Sequence, residues 1–318
     1  MRIAKGIRQL CCAAAVLLLS SGQQLLAQTP KSCQTVRFSD VGWTDITATT
    51  AIATTLLESM GYQTETKMLS VPVTYASLAN NDIDVFLGNW MPTMEADIAP
   101  YRQKGTVETI TKNLEGAKYT LAVPKYIYDA GLHSFADIAK FKQQLAGKIY
   151  GVEAGNDGNR LILQMIEEGK FSLSDFELVE SSEAGMLSQV ARAVRRNKPI
   201  VFLGWEPHPM NSKFELKYLS GGDDVFGPNY GGADIYTNTR KGLAQDCPNI
   251  GRFLKQLKFS LSMENHIMGA ILNEGVAPKK AAKTWILANE AQLSSWLSGV
   301  KTKSGEDALP VVKKALGM

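Results

Sequence analysis

The sequence predicts an α/β protein of two lobes joined by a two-strand hinge, with a ligand cleft between them. Three observations carry that expectation. From Val36 onward, short strand-like runs alternate with amphipathic helical stretches, which is the pattern of an open sheet with helical crossovers. The string Val85-Phe86-Leu87-Gly88-Asn89-Trp90-Met91-Pro92 returns about 115 residues later as Val201-Phe202-Leu203-Gly204-Trp205-Glu206-Pro207. A second set of strand and helix units fills residues 119 to about 230, after which Ala233 to Thr237 reads as a return to the first set.

Residues 1–27 carry Arg2, Lys5 and Arg8 without an acid, then an apolar run from Cys12 to Leu19, then a polar stretch closing on Leu25-Leu26-Ala27. That order is a secretory signal peptide, too short to span a bilayer, cleaved near Ala27. Cys11 and Cys12 precede the apolar run, so neither stands where a lipid-modified cysteine would. Val36-Arg37-Phe38 alternates as a strand, and the loop Ser39 to Thr44 leads into a helix with Ile52, Leu56, Leu57 and Met60 at helical spacing, ended by Gly61. A short helix around Tyr75 to Ala79 and a strand from Ile83 to Leu87 follow.

The second set opens with the strand Tyr119 to Val123, and Ser134-Phe135-Ala136-Asp137 then starts a helix with a capping-box pattern. Strand Lys148 to Val152, a loop from Ala154 to Asn159, a helix to Glu168, strand Phe176 to Val179, a helix from Glu183 to Arg196 and strand Ile200 to Leu203 complete it. After the glycine-rich return come helices around Ile250 to Leu261, Ala281 to Glu290 and Ala291 to Leu297. The expected division is 28–117 plus 235–318 for lobe I and 118–234 for lobe II, with crossings near 115–119 and 231–235 as the hinge.

Removing residues 1–27 takes three of the 34 basic residues and none of the 31 acidic ones, leaving a formally neutral chain. Nothing in that balance points to nucleic acid or an acidic membrane. Only Cys33 and Cys247 remain, and in an oxidising compartment a disulfide is their simplest state; two free thiols or a metal pair are the alternatives, with no His or third Cys beside either.

Ligands of open α/β sheets bind beyond the carboxyl ends of the strands, so the strand-to-helix loops are the places to look. There stand Trp43 and Asp45, Trp90, Asn156 and Trp205, with Tyr119 at the first crossing. Four aromatic residues and one carboxylate therefore converge on one cleft. Such a box suits a quaternary ammonium, which donates no hydrogen bond and is easily dehydrated. The plainer reading makes Trp90 and Trp205 core residues capping strands, but two copies in matching context favour the cleft. Trp285 and Trp296, on late helices, read as core. His133, His208 and His266 are scattered singly, and no G-x-S-x-G, G-x-G-x-x-G, P-loop or H-E-x-x-H supports an enzyme. Arg192, Arg195, Arg196 and Lys198 read as a solvated helix C-terminus.

At these residues the chain resembles the substrate-binding proteins of bacterial ABC importers for glycine betaine, carnitine and choline, over nearly its whole length after residue 27. The resemblance implies a type II periplasmic binding protein fold, a periplasmic monomer, choline capture by lobe closure and delivery to an inner-membrane permease. It implies a cage of Trp43, Trp90, Tyr119 and Trp205, with Asp45 and Asn156 as polar ligands and no cofactor or metal. Charge ranks the substrates: Asp45 would repel the carboxylate of betaine or carnitine, whereas the choline hydroxyl can donate to Asp45 and accept from the Asn156 amide. Betaine and carnitine remain the alternatives. His208, beside Trp205, is the residue that could serve a carboxylate; a histidine satisfied within its loop is the plainer reading.

Overall fold

The computed structural model describes residues 30–318, so the signal peptide expected at 1–27 lies outside the described residues. Nine strands are β1 (Thr35–Asp40), β2 (Gln63–Met68), β3 (Val85–Met91), β4 (Val107–Pro124), β5 (Lys148–Tyr150), β6 (Glu177–Val179), β7 (Phe202–Glu206), β8 (Leu216–Tyr218) and β9 (Gly232–Arg240). They share one curled sheet in the order β2-β1-β3-β9-β4-β7-β5-β6, with β8 beside β4. Two parallel groups, β2-β1-β3 and β7-β5-β6, flank the antiparallel pair β9 and β4. Each group carries its own helices, which gives two α/β lobes joined through that pair.

β4 makes the joint because it is long enough to serve both sides. Val107 to Lys118 pairs with Arg240 to Gly232 of β9, and Lys118 to Ala122 pairs with Glu206 to Phe202 of β7. Lys118 is the rung common to both ladders. The expected crossings near 115–119 and 231–235 coincide with this changeover.

The first helix, Thr44–Ser59, is buried along most of its length, with Ile46, Ile52, Leu56 and Leu57 in the core. Two of its buried threonines are satisfied by donating to carbonyls one turn back, Thr49 to Asp45 and Thr54 to Thr50, while the Thr50 hydroxyl has no partner among the described residues. Later helices Leu261–Glu274 and Pro278–Ala288 pack on it. Asp84, at the foot of β3, accepts from Arg37 of β1 and Arg240 of β9, each at 2.9 Å, tying three neighbouring strands. Burial alone would raise its pKa, but the Arg37 and Arg240 bonds outweigh it and hold the carboxyl below its usual range.

Cys33 and Cys247 form a disulfide with Cα atoms 5.6 Å apart, fastening the segment before β1 to the start of helix Pro248–Gln256. Trp296 is fully buried in the core, and the partly buried Trp285 packs against it with ring centroids 6.0 Å apart.

Several local expectations need correction. β3 and β7 do not stop at the glycines of the repeated string; they continue through Trp90 and Trp205, β3 across an irregularity between Phe86 and Asn89 and β7 with Gly204 paired to Thr120. Those glycines serve close approach instead: a Cβ on Gly88 would lie 2.4 Å from Ile46 Cδ1, and one on Gly204 2.8 Å from Ala122 Cβ. Pairing ends at Pro92 and Pro207, both preceded by cis peptide bonds. The segment at Ser134 is a 3-10 helix, Phe135–Phe141, although its capping box is present. The run from Ile250 to Leu261 is not one helix. It breaks where the Phe259 amide donates to the Asn113 carbonyl, and Ser260 then caps helix Leu261–Glu274.

Candidate functional site

The cleft wall is built by backbone devices legible in the structure. Asp40, ending β1, accepts from the Gly42 amide at 2.8 Å and the Thr47 hydroxyl at 2.7 Å, which pins the turn that delivers Trp43 as N-cap of the first helix. Asn159 does the same across the cleft. Its Oδ1 accepts from Val152 N at 3.0 Å and its Nδ2 donates to the Val152 and Glu153 carbonyls, so the loop after β5 is wrapped around one amide. Asn156, four residues on from Val152, caps helix Asp157–Glu167 by accepting from Asn159 N.

Trp43, Trp90, Tyr119, Val152, Asn156 and Trp205 line one cavity. The Trp90 and Tyr119 rings meet at 5.9 Å and 60°, and Tyr119 and Trp205 at 6.4 Å and 83°. The edges of one ring thus face the π surface of the next, leaving faces turned to the cavity. All four aromatic residues named from the sequence are brought together here, and Asn156 joins them. Val152 was not anticipated; nothing distinguishes it from other strand-end valines.

Three of the four rings are held from behind by an oxygen. Trp43 Nε1 donates to Glu153 Oε1 at 2.8 Å, Trp90 Nε1 to Asp45 Oδ2 at 3.2 Å, and the Tyr119 hydroxyl to Asn156 Oδ1 at 2.8 Å. The fourth, Trp205, rests on the His208 ring at 4.7 Å. An acceptor oxygen on an indole N–H satisfies the buried donor and fixes the rotamer of the ring.

Asp45 does not line the cavity. It stands behind Trp90, only 2% exposed, and its Oδ1 completes no hydrogen bond. Burial, and then the charge of Glu183, push its carboxyl up to about 8, against the opposing pull of the first-turn amides and Trp90. With Glu183 packed against the first helix, the residue expected as a repelling carboxylate is therefore biased toward its protonated form. Glu264, on helix Leu261–Glu274, which the sequence reading did not assign, lies beside Asp45 and is itself raised well above the usual range by burial and by that neighbour. Burial also raises Glu153, and lifts Asp157 to about 7.

Glu183 was read only as the start of a helix. Its carboxylate accepts from the Thr44 amide at 2.8 Å, the Thr44 hydroxyl at 2.7 Å and His208 Nε2 at 3.0 Å. His208 Nδ1 accepts from Met210 N at 2.9 Å, so the bonds assign the neutral ring with its proton on Nε2. His208 is thus a satisfied buried histidine, as the plainer reading had it. Arg160, on the helix that Asn156 caps, is engaged by Asp97 at 2.8 Å and the Thr93 carbonyl at 3.0 Å. The cavity wall holds acids behind its rings and no cation. Among the described residues no cluster of three or more His, Cys, Asp or Glu could hold a metal.

The sequence pattern of the substrate-binding domain of ABC-type glycine betaine transport systems, OpuAC, matches residues 34–288. The chain belongs to that family. Members solved before share its architecture. An ABC-transporter choline-binding protein in complex with choline is 65% identical with a TM-score of 0.90, covering 91% of this chain and all of that one. An ABC-transporter choline-binding protein in an unliganded semi-closed conformation is 64% identical with a TM-score of 0.84, over the same shares. Lactococcal OpuAC, closed on glycine betaine, is 27% identical with a TM-score of 0.75 over 83% of this chain and 99% of that one. The family is one of transport proteins that bind substrates outside the cytoplasm, and no helix among the described residues is long and apolar enough to cross a membrane.

Proposed function

We propose that this protein captures choline in the periplasm and presents it to the permease of an ABC importer, without chemical change to the ligand. The observation that carries this reading is the four-ring cavity of Trp43, Trp90, Tyr119 and Trp205, which has acids behind its rings and no cationic side chain on its wall. A desolvated ring face contributes about 2 kcal/mol to a bound cation, so four faces reach the roughly 8 kcal/mol of a micromolar site without an ion pair. The Asn156 Nδ2 is the polar group left to meet the choline hydroxyl, since Asn156 Oδ1 is occupied by Tyr119 and Asn159, while Asp45 acts through Trp90 without touching the ligand. Residues 28–117 with 235–318 act as one lobe and 118–234 as the other, closing over the cation by bending at the β4 and β9 changeover.

Glycine betaine is the second reading, favoured by the proton on Asp45, which weakens the repulsion of a carboxylate. Parallel calorimetric titration with choline, acetylcholine, glycine betaine and carnitine decides between them; the expected order places choline first. Mass spectrometry of choline after incubation is expected to return it unaltered, and a new product would assign an enzyme instead.

A further inference from the structure

Thr44 and Glu183 belong to opposite arms of the sheet. The first helix follows β1, and the helix Glu183–Arg195 follows β6, with β9 and β4 between them in strand order. Their contact nevertheless is buried, with Glu183 4% exposed, and it is a full set: both carboxylate oxygens are used and three donors point at them. The local geometry explains the attraction. The N-cap of the first helix is Trp43, which offers no side-chain oxygen to the first-turn amides. Glu183 supplies from the other arm the capping anion that this helix lacks, at the end where the helix dipole favours one. Two further bonds cross the same gap, from Trp43 Nε1 to Glu153 and from Arg160 to Asp97.

We propose that Glu183 is the latch of the closed state: a positioning residue that touches no ligand, caps the first helix only when the lobes meet, and so sets how slowly the ligand leaves. His208 holds the carboxylate in aim by donating from Nε2, and packs against Trp205, so the latch is mounted on a ring of the cage itself. This inference rests on the lobe assignment proposed above and goes beyond the choice of ligand. An interaction absent from the open state and present in the closed one slows dissociation without altering encounter.

Glu183→Gln tests it. The amide keeps the shape, but its NH₂ group must face either the Thr44 amide or the His208 N–H, and neither can accept. Stopped-flow tryptophan fluorescence, run on whichever quaternary ammonium the wild-type protein holds, is expected to show dissociation faster by about 10- to 100-fold, with association within about threefold. Thr44→Val is expected to speed release as well, and E183Q combined with T44V to add little beyond E183Q alone. The ligand-free unfolding midpoint stays near wild type if the contact belongs to the closed state. An unchanged dissociation rate in E183Q overturns the latch, and so does a loss shared equally by association and ligand-free stability, which marks Glu183 as merely structural. Failure of wild type to bind choline would instead overturn the ligand reading, because the latch is measured on whatever cation does bind.

Discussion

Asp45 makes choline binding a proton-linked event, and the sign follows from its surroundings. Its carboxyl is pushed up to about 8 by burial and by Glu183, so near neutrality the closed site favours the protonated form until a cation lies against Trp90. A permanent cation against Trp90, whose N–H already points at Asp45 Oδ2, favours the ionised form. Binding then releases a proton, and affinity rises with pH until the pH passes 8. If only the ionised form held choline, the apparent Kd would stand about 100-fold above its limit at pH 6, about tenfold at pH 7 and close to it at pH 9. A rise of at least threefold between pH 6 and 8 is the expectation for partial coupling, roughly 0.7 kcal/mol. Calorimetry in two buffers of different ionisation enthalpy measures the proton count directly. Glu153, Asp157 and Glu264 are also raised, so the decisive comparison is with Asp45→Asn, which removes the Asp45 share alone. The choline-to-betaine preference is expected to fall in D45N at pH 9 and to change little at pH 6. Identical proton release and identical pH slopes in the two proteins would refute the reasoning.

Other expectations follow from the same structure. Trp43, Trp90 or Trp205 changed to Ala is expected to weaken choline binding by about 1–3 kcal/mol each, measured by titration, with far-UV circular dichroism unchanged. Asp84→Ala leaves Arg37 and Arg240 without their buried partner and is expected to lower unfolding stability by about 3–5 kcal/mol in denaturant. Because the Asp84 pKa is lowered on folding, its contribution is present above the unfolded carboxyl range and lost as pH falls through the folded value; the mutant should therefore lose less stability than wild type on acidification. Native protein is expected to show no titratable thiol, and reduction of Cys33–Cys247 to leave choline affinity intact, since neither cysteine lines the cavity.

Much of the fold was readable because hydrophobic period and glycine or proline punctuation are local properties. The strands around Val36, Tyr119 and Ala233 and the helices beginning near Thr44 and Glu183 all announce themselves in this way. β2 did not, since it is an edge strand whose residues are mostly exposed and polar, so no apolar alternation marks it. The helix Leu261–Glu274 was missed because a charged residue, Glu264, sits among its buried positions with Met263, Ile267 and Met268 and blurs the apolar period. The four rings were legible from the rule that strand ends face the cleft, combined with the repeated string.

What the sequence by itself determined is the inventory of the site: four aromatic rings at strand ends, Asp45 and Asn156 beside them, and two cysteines far apart in the chain. The roles within that inventory were decided by tertiary structure. Whether Asp45 is a charge or a neutral acceptor depends on how deeply Trp90 and Glu264 bury it, and the importance of Glu183 depends on a helix end 139 residues away in the chain. Burial and long-range hydrogen bonding are properties of the packed chain. Local pattern says which side chains are present at the cleft, and only packing sets their protonation, their partners and the contacts that hold the cleft shut.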